Sequence, residues 1–160
     1  MKFKSLEEQL YRIKRGVEEI LPESELVEKI EKSLSTNIPL NIKLGCDPSM
    51  PDLHLGHSVV LNKMKDFQDL GHNITLVIGD FTAMIGDPTG RNKTRPQLDM
   101  KTAKINADTY IKQASKILDV KKLRVVYNSE WLSKLDFSKI INISGKFTIA
   151  QFLDRDDFSK

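Results

Sequence analysis

The sequence has a single cysteine, Cys46, and no long apolar run. One cysteine excludes a disulfide within the chain and is typical of proteins from a reducing compartment. No apolar stretch approaches the roughly 20 residues that a membrane-spanning helix needs. The amino terminus also lacks the uninterrupted apolar core of a signal peptide. We therefore expect a cytoplasmic protein that does not contact membranes.

Familiar nucleotide and metal motifs are missing as well. The chain has no Walker pattern of a P-loop, and no Gly-x-Gly-x-x-Gly follows its first predicted strand. His54 and His57 are spaced to share a metal ion, but no cysteine or third histidine lies at ligand spacing from them, so we expect no protein-bound metal. The net charge of +3 is small and scattered. A solvated surface explains it without a nucleic-acid partner.

The residues that are present suit one α/β domain. Apolar residues make up 39% and charged residues 29% of the 160 positions, which is ordinary for a globular protein. Apolar spacing predicts an amino-terminal helical hairpin, with helices over 5–21 and 24–34. Further helices are predicted over 56–70, 98–118 and 130–135, and residues 137–158 are predicted to be mostly helical with a break at Gly145. We divide the chain into residues 1–36, a helical segment packed on the domain, and residues 37–160.

Strands are predicted over 40–44, 74–78 and 123–127. The first two flank a helix, and this strand, helix, strand order is a βαβ unit, so the two strands should be parallel neighbours. Two loops rich in glycine, proline and charge follow these strands, over 45–57 and 79–96. Ligands bind outside the carboxyl ends of parallel strands, where a helix amino terminus also attracts anions. The two loops therefore predict a phosphate-binding crevice.

Several of these residues also have a purely structural interpretation. Asp47 before Pro48 can simply shape a turn. The second-loop cations, which include Lys93, can be ordinary solvated charges. His72 is predicted to be a surface turn residue, next to a Gly71 placed to end the preceding helix.

Asp47-Pro48-Ser49 followed by His54-Leu55-Gly56-His57 resembles the signature of class I aminoacyl-tRNA synthetases, written His-Ile-Gly-His. The loop over 81–91, continuing to Thr94-Arg95-Pro96, resembles the corresponding loop of bacterial tyrosyl-tRNA synthetases. Gly71-His72 and residues 152–158 are also similar to that family, so the resemblance covers nearly the whole chain. A tryptophanyl-tRNA synthetase fragment and a nucleotide-binding module without catalysis are the alternatives.

The resemblance implies a Rossmann-like fold, with residues 37–160 as the first, incomplete part of the catalytic domain. It implies that the full-length protein activates tyrosine with ATP, accompanied by Mg²⁺, and transfers it to tRNA(Tyr), as a homodimer. The family's Lys-Met-Ser-Lys-Ser loop, its later specificity helix and its anticodon-binding region do not occur in these 160 residues. The chain by itself is therefore expected to be nearly inactive and to expose apolar surface.

The resemblance also implies roles for particular residues. Ser49 and His54 would donate hydrogen bonds to the γ-phosphate of ATP, and Asp87 would accept one from the ammonium group of tyrosine. The implied catalytic residues are Ser49, His54, His57, Arg91 and Arg95. The implied nucleotide-binding residues are Gly45, Asp47, Pro48, His54, Gly56 and His57. Thr82 and Asp87 would bind tyrosine. Lys43 stands near the position where some members have a tyrosine that touches the substrate phenol.

Overall fold

A three-stranded parallel sheet forms the centre of the protein. The structure is a computed structural model that describes residues 3–85 and 98–153. The strands are β1 (Asn41–Cys46), β2 (Asn73–Ile78) and β3 (Leu123–Tyr127). Their order is β1-β2-β3, and both neighbouring pairs are parallel. The predicted α/β fold with parallel β1 and β2 is therefore confirmed, and all three strands end at one edge of the sheet.

Eight α-helices and one short 3₁₀ helix are found in the described residues. Their bounds are α1 (Leu6–Lys14), α2 (Glu23–Thr36), α3 (Leu55–Asp69), α4 (Asp80–Ile85), α5 (Met100–Ala114), the 3₁₀ helix (Val120–Lys122), α6 (Ser129–Leu132), α7 (Phe137–Ser144) and α8 (Ile149–Leu153). α1 and α2 precede the sheet, α3 joins β1 to β2, and α4, α5 and the 3₁₀ helix lie between β2 and β3. The last three helices follow β3. None of these helices has the length and apolar character needed to cross a bilayer.

One face of β2 organises the core. Ile74, Leu76 and Ile78 alternate along the strand, so they point to the same side of the sheet, and each is at most 2% exposed. Leu61 and Met64 of α3 and Ala114 at the end of α5 pack around Ile74, while Ala107 of α5 packs against Leu76 and Ile78. Both α3 and α5 are therefore fixed on this face, and the amino end of α3 lies at the carboxyl ends of the strands.

The amino-terminal helices pack against the carboxyl end of α3. Ile13 of α1 and Ile30 of α2 share an apolar cluster with Leu70. The ammonium group of Lys63 donates to the backbone carbonyls of Arg12, Ile13 and Arg15 at 2.8–3.2 Å. A cation is favourable there because the last carbonyls of a helix lack partners within the helix. The division of the chain at residue 36 stays a prediction.

The structure corrects two predicted elements. The helix predicted over 5–21 ends at Lys14, because Gly16 adopts a positive φ of 70° that a continuing helix does not allow. Residues 80–85, predicted as part of a loop, form α4. Its first turn is supported by the Asp80 carboxylate, which accepts from the backbone N–H of Phe81 at 3.0 Å.

His72 was wrongly predicted to be a surface residue and is only 5% exposed. Gly71, with φ 93°, turns the chain after α3, and α1 covers the imidazole. The Nδ1 atom of His72 accepts from the backbone N–H of Leu40 at 3.2 Å, and its Nε2 atom lies 2.9 Å from Oε1 of Gln9. Burial lowers the pKa of His72, which favours the neutral ring that these contacts require.

Candidate functional site

A cleft of about 700 Å³ opens at the carboxyl ends of the strands. This volume lies within the range of small-molecule sites, roughly 300–1,000 Å³. Residues at or just after the carboxyl ends of β1, β2 and β3 line it. The predicted site residues on its walls are Gly45, Asp47, Ser49, His54 and His57. The crevice predicted at this edge is therefore present, and the first loop forms much of its wall.

His54 and His57 lie against each other at the amino end of α3. Their ring centroids are 3.9 Å apart. Nδ1 of His54 accepts from the backbone N–H of Gly56 at 3.1 Å, and Nδ1 of His57 accepts from the backbone N–H of His54 at 3.2 Å. A neutral imidazole that accepts at Nδ1 carries its proton on Nε2. Each histidine is therefore left with one N–H group that can donate to a ligand.

These contacts modify the predicted use of the helix amides. The N–H of Gly56 donates to the His54 ring, and the N–H of His57 donates to the His54 carbonyl at 2.9 Å. Both amides are thus satisfied within the first turn, so the side chains carry more of any anion binding than the sequence suggested. A Cβ atom on Gly56 would lie 3.0 Å from the His54 ring, so a larger residue here would require the ring to shift.

A chain of hydrogen bonds joins the three strand ends. The hydroxyl of Thr82 donates to Oδ1 of Asp47 at 2.7 Å. The side-chain N–H of Asn128 donates to the same hydroxyl at 2.9 Å. Asp47 follows β1, Thr82 lies in the helix after β2 and Asn128 follows β3. Residues that follow β2 and β3 therefore hold Asp47 at the cleft wall, Thr82 directly and Asn128 through Thr82.

Gly79 makes the contact between Asp47 and Thr82 possible. It directly follows β2, and its N–H donates to the carbonyl of Cys46 at 2.9 Å. A Cβ atom built on Gly79 would lie 1.8 Å from Oδ1 of Asp47 and 2.5 Å from the Thr82 hydroxyl. Only a residue without a side chain leaves room for this pair.

The fully buried carboxylate of Asp80 supports this network from the side of the protein core. Asp80 is 0% exposed, and it accepts from the hydroxyl of Ser129 at 2.6 Å and from the Ser129 backbone N–H at 3.0 Å. Buried charges persist when several donors satisfy them. Asn128, the residue before Ser129, in turn accepts from the backbone N–H of Phe81 at 2.9 Å. The ends of β2 and β3 are thereby joined beneath the cleft.

Cys46 also lines the cleft, but it is not placed to act as a nucleophile. Burial, together with the neighbouring carboxylate of Asp47, raises the pKa of its thiol to about 11. The thiol therefore stays protonated near neutral pH, whereas the thiolate is the reactive form.

The remaining predicted residues have different positions. Pro48 is buried beside the cleft, and its carbonyl accepts from the side chain of Asn106 at 2.9 Å. Gly56 lines a smaller apolar pocket of about 360 Å³ that adjoins the cleft. Lys43 is exposed on β1. Three predicted residues, Asp87, Arg91 and Arg95, lie outside the described residues. Within the ranges that are described, no group of three potential metal ligands occurs.

Sequence reasoning missed several residues of the cleft. Tyr110 of α5 lines it and lies 6.3 Å from His57, measured between ring centroids. Asn128 lines it as well. The rule that ligands bind at the carboxyl ends of strands would have pointed to Asn128, because it directly follows the predicted third strand. Tyr110 lies within a predicted helix, and no local signal distinguishes it from a core residue.

The chain was compared with known proteins. The family model described as tRNA synthetases class I (W and Y) matches residues 35–160. Among curated proteins, the tyrosine–tRNA ligases of Salinibacter ruber and Geobacter metallireducens are 52% and 58% identical over 160 and 156 residues, which is 100% and 98% of this chain. The chain spans 39% of the length of each of these two relatives.

Solved structures agree in fold. A tyrosyl-tRNA synthetase from Archaeoglobus fulgidus, complexed with L-tyrosine, matches with a TM-score of 0.67 at 24% identity, covering 90% of this chain and 41% of that one. A truncated mitochondrial tyrosyl-tRNA synthetase from Aspergillus nidulans matches with a TM-score of 0.69 at 22% identity, covering 98% and 46%. These likenesses establish the fold alone. The family match over residues 35–160 shows that the chain belongs to the class I tRNA synthetases of the tryptophan and tyrosine group.

Proposed function

We propose that the protein to which this sequence belongs is a tyrosine–tRNA ligase. It activates tyrosine with ATP to tyrosyl-adenylate and pyrophosphate, and then transfers the tyrosyl group to tRNA(Tyr). The observation that carries the proposal is that one cleft is lined by the paired imidazoles of His54 and His57 and by the carboxylate of Asp47, which comes from the same loop after β1. The relatives at 52–58% identity bear the name tyrosine–tRNA ligase.

The activation step needs positioning and charge stabilisation more than covalent help from the protein. The carboxylate of tyrosine forms a new bond to the α-phosphorus of ATP as the bond to the β-phosphate oxygen breaks, and pyrophosphate leaves with the electron pair. No proton has to move in this step. Donors aimed at the phosphates stabilise the charge that develops on them.

His54, His57 and Ser49 are our candidates for these donors. Both imidazoles use Nδ1 within the protein and retain an N–H at Nε2. Ser49 lines the same cleft. We assign His54 and Ser49 to the γ-phosphate and His57, with Gly56, to the nucleotide.

The remaining assignments follow the motif positions. Gly45, Asp47 and Pro48 border the adenylate, Thr82 and Asp87 face tyrosine, and Arg91 and Arg95 neutralise pyrophosphate. The position of Asp47 supports this, because Thr82 and Asn128 hold it at the cleft wall. Mg²⁺ enters with ATP and is coordinated largely by its phosphates, as is usual for this ion.

We further propose that the protein acts as a cytoplasmic homodimer. Support for association comes from the exposed apolar side chains on and beside α7 and α8. Phe137 is 76% and Ile149 is 78% exposed, and Ile140, Ile141, Ile143 and Phe147 are each at least 46% exposed. Apolar surface of this kind is normally covered by further protein. Sedimentation of the full-length protein tests the dimer, and a monomer at micromolar concentration contradicts it.

Exchange of labelled pyrophosphate into ATP tests the proposed activity. The full-length protein is assayed with tyrosine, with tryptophan and with no amino acid. Exchange that depends on tyrosine is expected. Exchange that depends on tryptophan would assign the other specificity of the family, and exchange without either amino acid would contradict amino-acid activation.

The alternative of a nucleotide-binding module is tested on the 160-residue chain. Calorimetric titration with ATP, combined with the exchange assay, separates binding from catalysis. ATP binding without exchange in both the chain and the full-length protein would favour the module over the ligase.

A further inference from the structure

Three side chains of α5 hold the backbone of the loop that carries Ser49 and leads to His54. Nδ2 of Asn106 donates to the carbonyl of Pro48 at 2.9 Å, and the hydroxyl of Thr109 donates to the carbonyl of Pro51. Gln113 makes two bonds to the loop. Its Nε2 donates to the Pro51 carbonyl at 3.0 Å, and its Oε1 accepts from the backbone N–H of Leu53 at 2.9 Å. Thr109 and Gln113 also lie within hydrogen-bond distance of carbonyls inside α5, those of Asn106 and Thr109, at 2.7 and 3.2 Å. All the contacts of the three side chains with the loop are to its backbone.

The position of these residues on α5 explains why they act together. Asn106, Thr109 and Gln113 follow the three- and four-residue spacing that places side chains on one stripe of a helix. The adjoining stripe is buried against the sheet, with Ala103 and Ala107 at 0% and Ala114 at 1% exposed. Because α5 is anchored in the core, its polar stripe is a rigid support for the loop.

The loop needs such support because it makes few bonds of its own. Residues 47–54 form no helix or strand, and Pro48 and Pro51 have no N–H to donate. The contacts from α5 fall at three points: just before Ser49, at Pro51, and at Leu53, the residue before His54. They therefore lie on both sides of Ser49 and directly before His54.

We propose that Asn106, Thr109 and Gln113 are positioning residues that set the path of this loop and thereby the placement of Ser49 and His54 in the cleft. The inference rests on the proposed function for its catalytic consequence. The three residues act through the loop backbone, and no contact of theirs with ATP is proposed. Since misplacing a catalytic group by about 1 Å can cost about 10²-fold in rate, removing the support should lower turnover.

Gln113→Met tests the proposal, because methionine keeps the length of the side chain but makes neither bond. Gln68 provides a matched control. Gln68 lies near the carboxyl end of α3, far along the helix from His54, and is 4% exposed. It makes the same pair of bonds to a different backbone segment: its Nε2 donates to the Asp119 carbonyl at 3.0 Å, and its Oε1 accepts from the Asp119 N–H at 2.8 Å. Gln68→Met thus removes an equivalent pair of bonds away from the cleft.

In the full-length protein, Gln113→Met is expected to lower kcat of tyrosine-dependent exchange about 10- to 100-fold, with KM for tyrosine changed less than about twofold. Gln68→Met should leave both parameters near wild type even if it lowers the unfolding temperature more. Thr109→Val, which removes one hydroxyl, should lower kcat in the same direction by a smaller factor. Equal kcat losses in Gln113→Met and Gln68→Met, or wild-type kcat in Gln113→Met, would overturn the proposal.

Hydrogen–deuterium exchange separates the support from the activity. In the same proteins, Gln113→Met should accelerate amide exchange in the peptide over residues 49–57, and Gln68→Met should accelerate it around residue 119 instead. Unchanged protection of residues 49–57 in Gln113→Met would overturn the support whatever the activity. Faster hydrogen–deuterium exchange at residues 49–57 in Gln113→Met, combined with no tyrosine-dependent pyrophosphate exchange in the wild type, would retain the support of the loop and reject the proposed function.

Discussion

Replacing Gly79 by alanine should disturb the pair formed by Asp47 and Thr82. The new Cβ atom would lie 1.8 Å from Oδ1 of Asp47 and 2.5 Å from the Thr82 hydroxyl. Neither distance is tolerable, and Oδ1 is the free end of a side chain on an exposed residue. We therefore expect the carboxylate to rotate into solvent and the 2.7 Å hydrogen bond from Thr82 to be lost.

The size of the effect follows from two opposing contributions. Loss of a hydrogen bond to a charged group costs about 1.5–3 kcal/mol, with water recovering part of this at an exposed site. A Gly→Ala change at an ordinary backbone conformation contributes about 0.4–1 kcal/mol of stability by restricting the unfolded chain. The net expectation is a decrease of about 1 kcal/mol in the free energy of unfolding, or about 2–4 °C in Tm for a domain of this size.

Gly45→Ala is the matched comparison for stability. Gly45 lies at the end of the neighbouring strand in the same cleft, and nothing in the described residues lies within 4 Å of its added Cβ atom. Chemical denaturation of both variants should show lower stability for Gly79→Ala and unchanged or slightly higher stability for Gly45→Ala. Equal stability of the two variants would refute the contact between Asp47 and Thr82 as a fixed feature of the fold.

Three further predictions concern groups outside this contact. Lys63→Met removes the ammonium that donates to three carbonyls at the end of α1, so the free energy of unfolding should fall by about 2 kcal/mol. The control Lys65→Met removes one exposed i,i+4 ion pair and should change this free energy by less than about 0.5 kcal/mol. Equal effects of the two substitutions would contradict the capping role of Lys63. Because burial lowers the pKa of His72 from 6.5, the contribution of the neutral ring to stability is complete above pH 6.5 and declines as the pH falls below that value. Denaturation at several pH values should show a component of acid destabilisation that His72→Gln lacks. Identical stability profiles of the wild type and His72→Gln would refute this contribution. With a thiol pKa near 11, Cys46 should react with iodoacetamide at pH 8 about 100-fold more slowly than an unperturbed cysteine, whereas a rate like that of a free thiol would contradict its burial.

Local patterns predicted the sheet well because its strands differ from their surroundings in composition. The continuous apolar run around Ile74, Leu76 and Ile78 is typical of a strand covered on both faces, and it forms β2. The spacing of strand, helix and strand also predicted parallel pairing. The crevice followed from the same topology, since parallel strands bring the ends of consecutive loops together.

The errors arose where the backbone conformation of one residue or the packing of a distant element decides the outcome. Val17 and Ile20 continue the helical spacing of α1, but Gly16 ends the helix, and spacing alone does not detect a positive φ. His72 follows a turn glycine and resembles a surface residue until α1 packs over it. Asn106 and Gln113 look like members of a solvated helix face, and only the folded chain places them against the loop backbone.

We propose that His54 stabilises the transition state of tyrosine activation. Single-turnover formation of tyrosyl-adenylate in His54→Ala and wild-type full-length protein, together with the dissociation constant for tyrosine, measures it directly. Because His54 also caps α3, unfolding is followed in parallel, and a loss of about 1 kcal/mol is expected from the cap. The activation rate should fall about 10²–10³-fold, while the dissociation constant for tyrosine should change less than threefold, as expected for an interaction made only in the transition state. Equal losses in rate and in tyrosine affinity would contradict it.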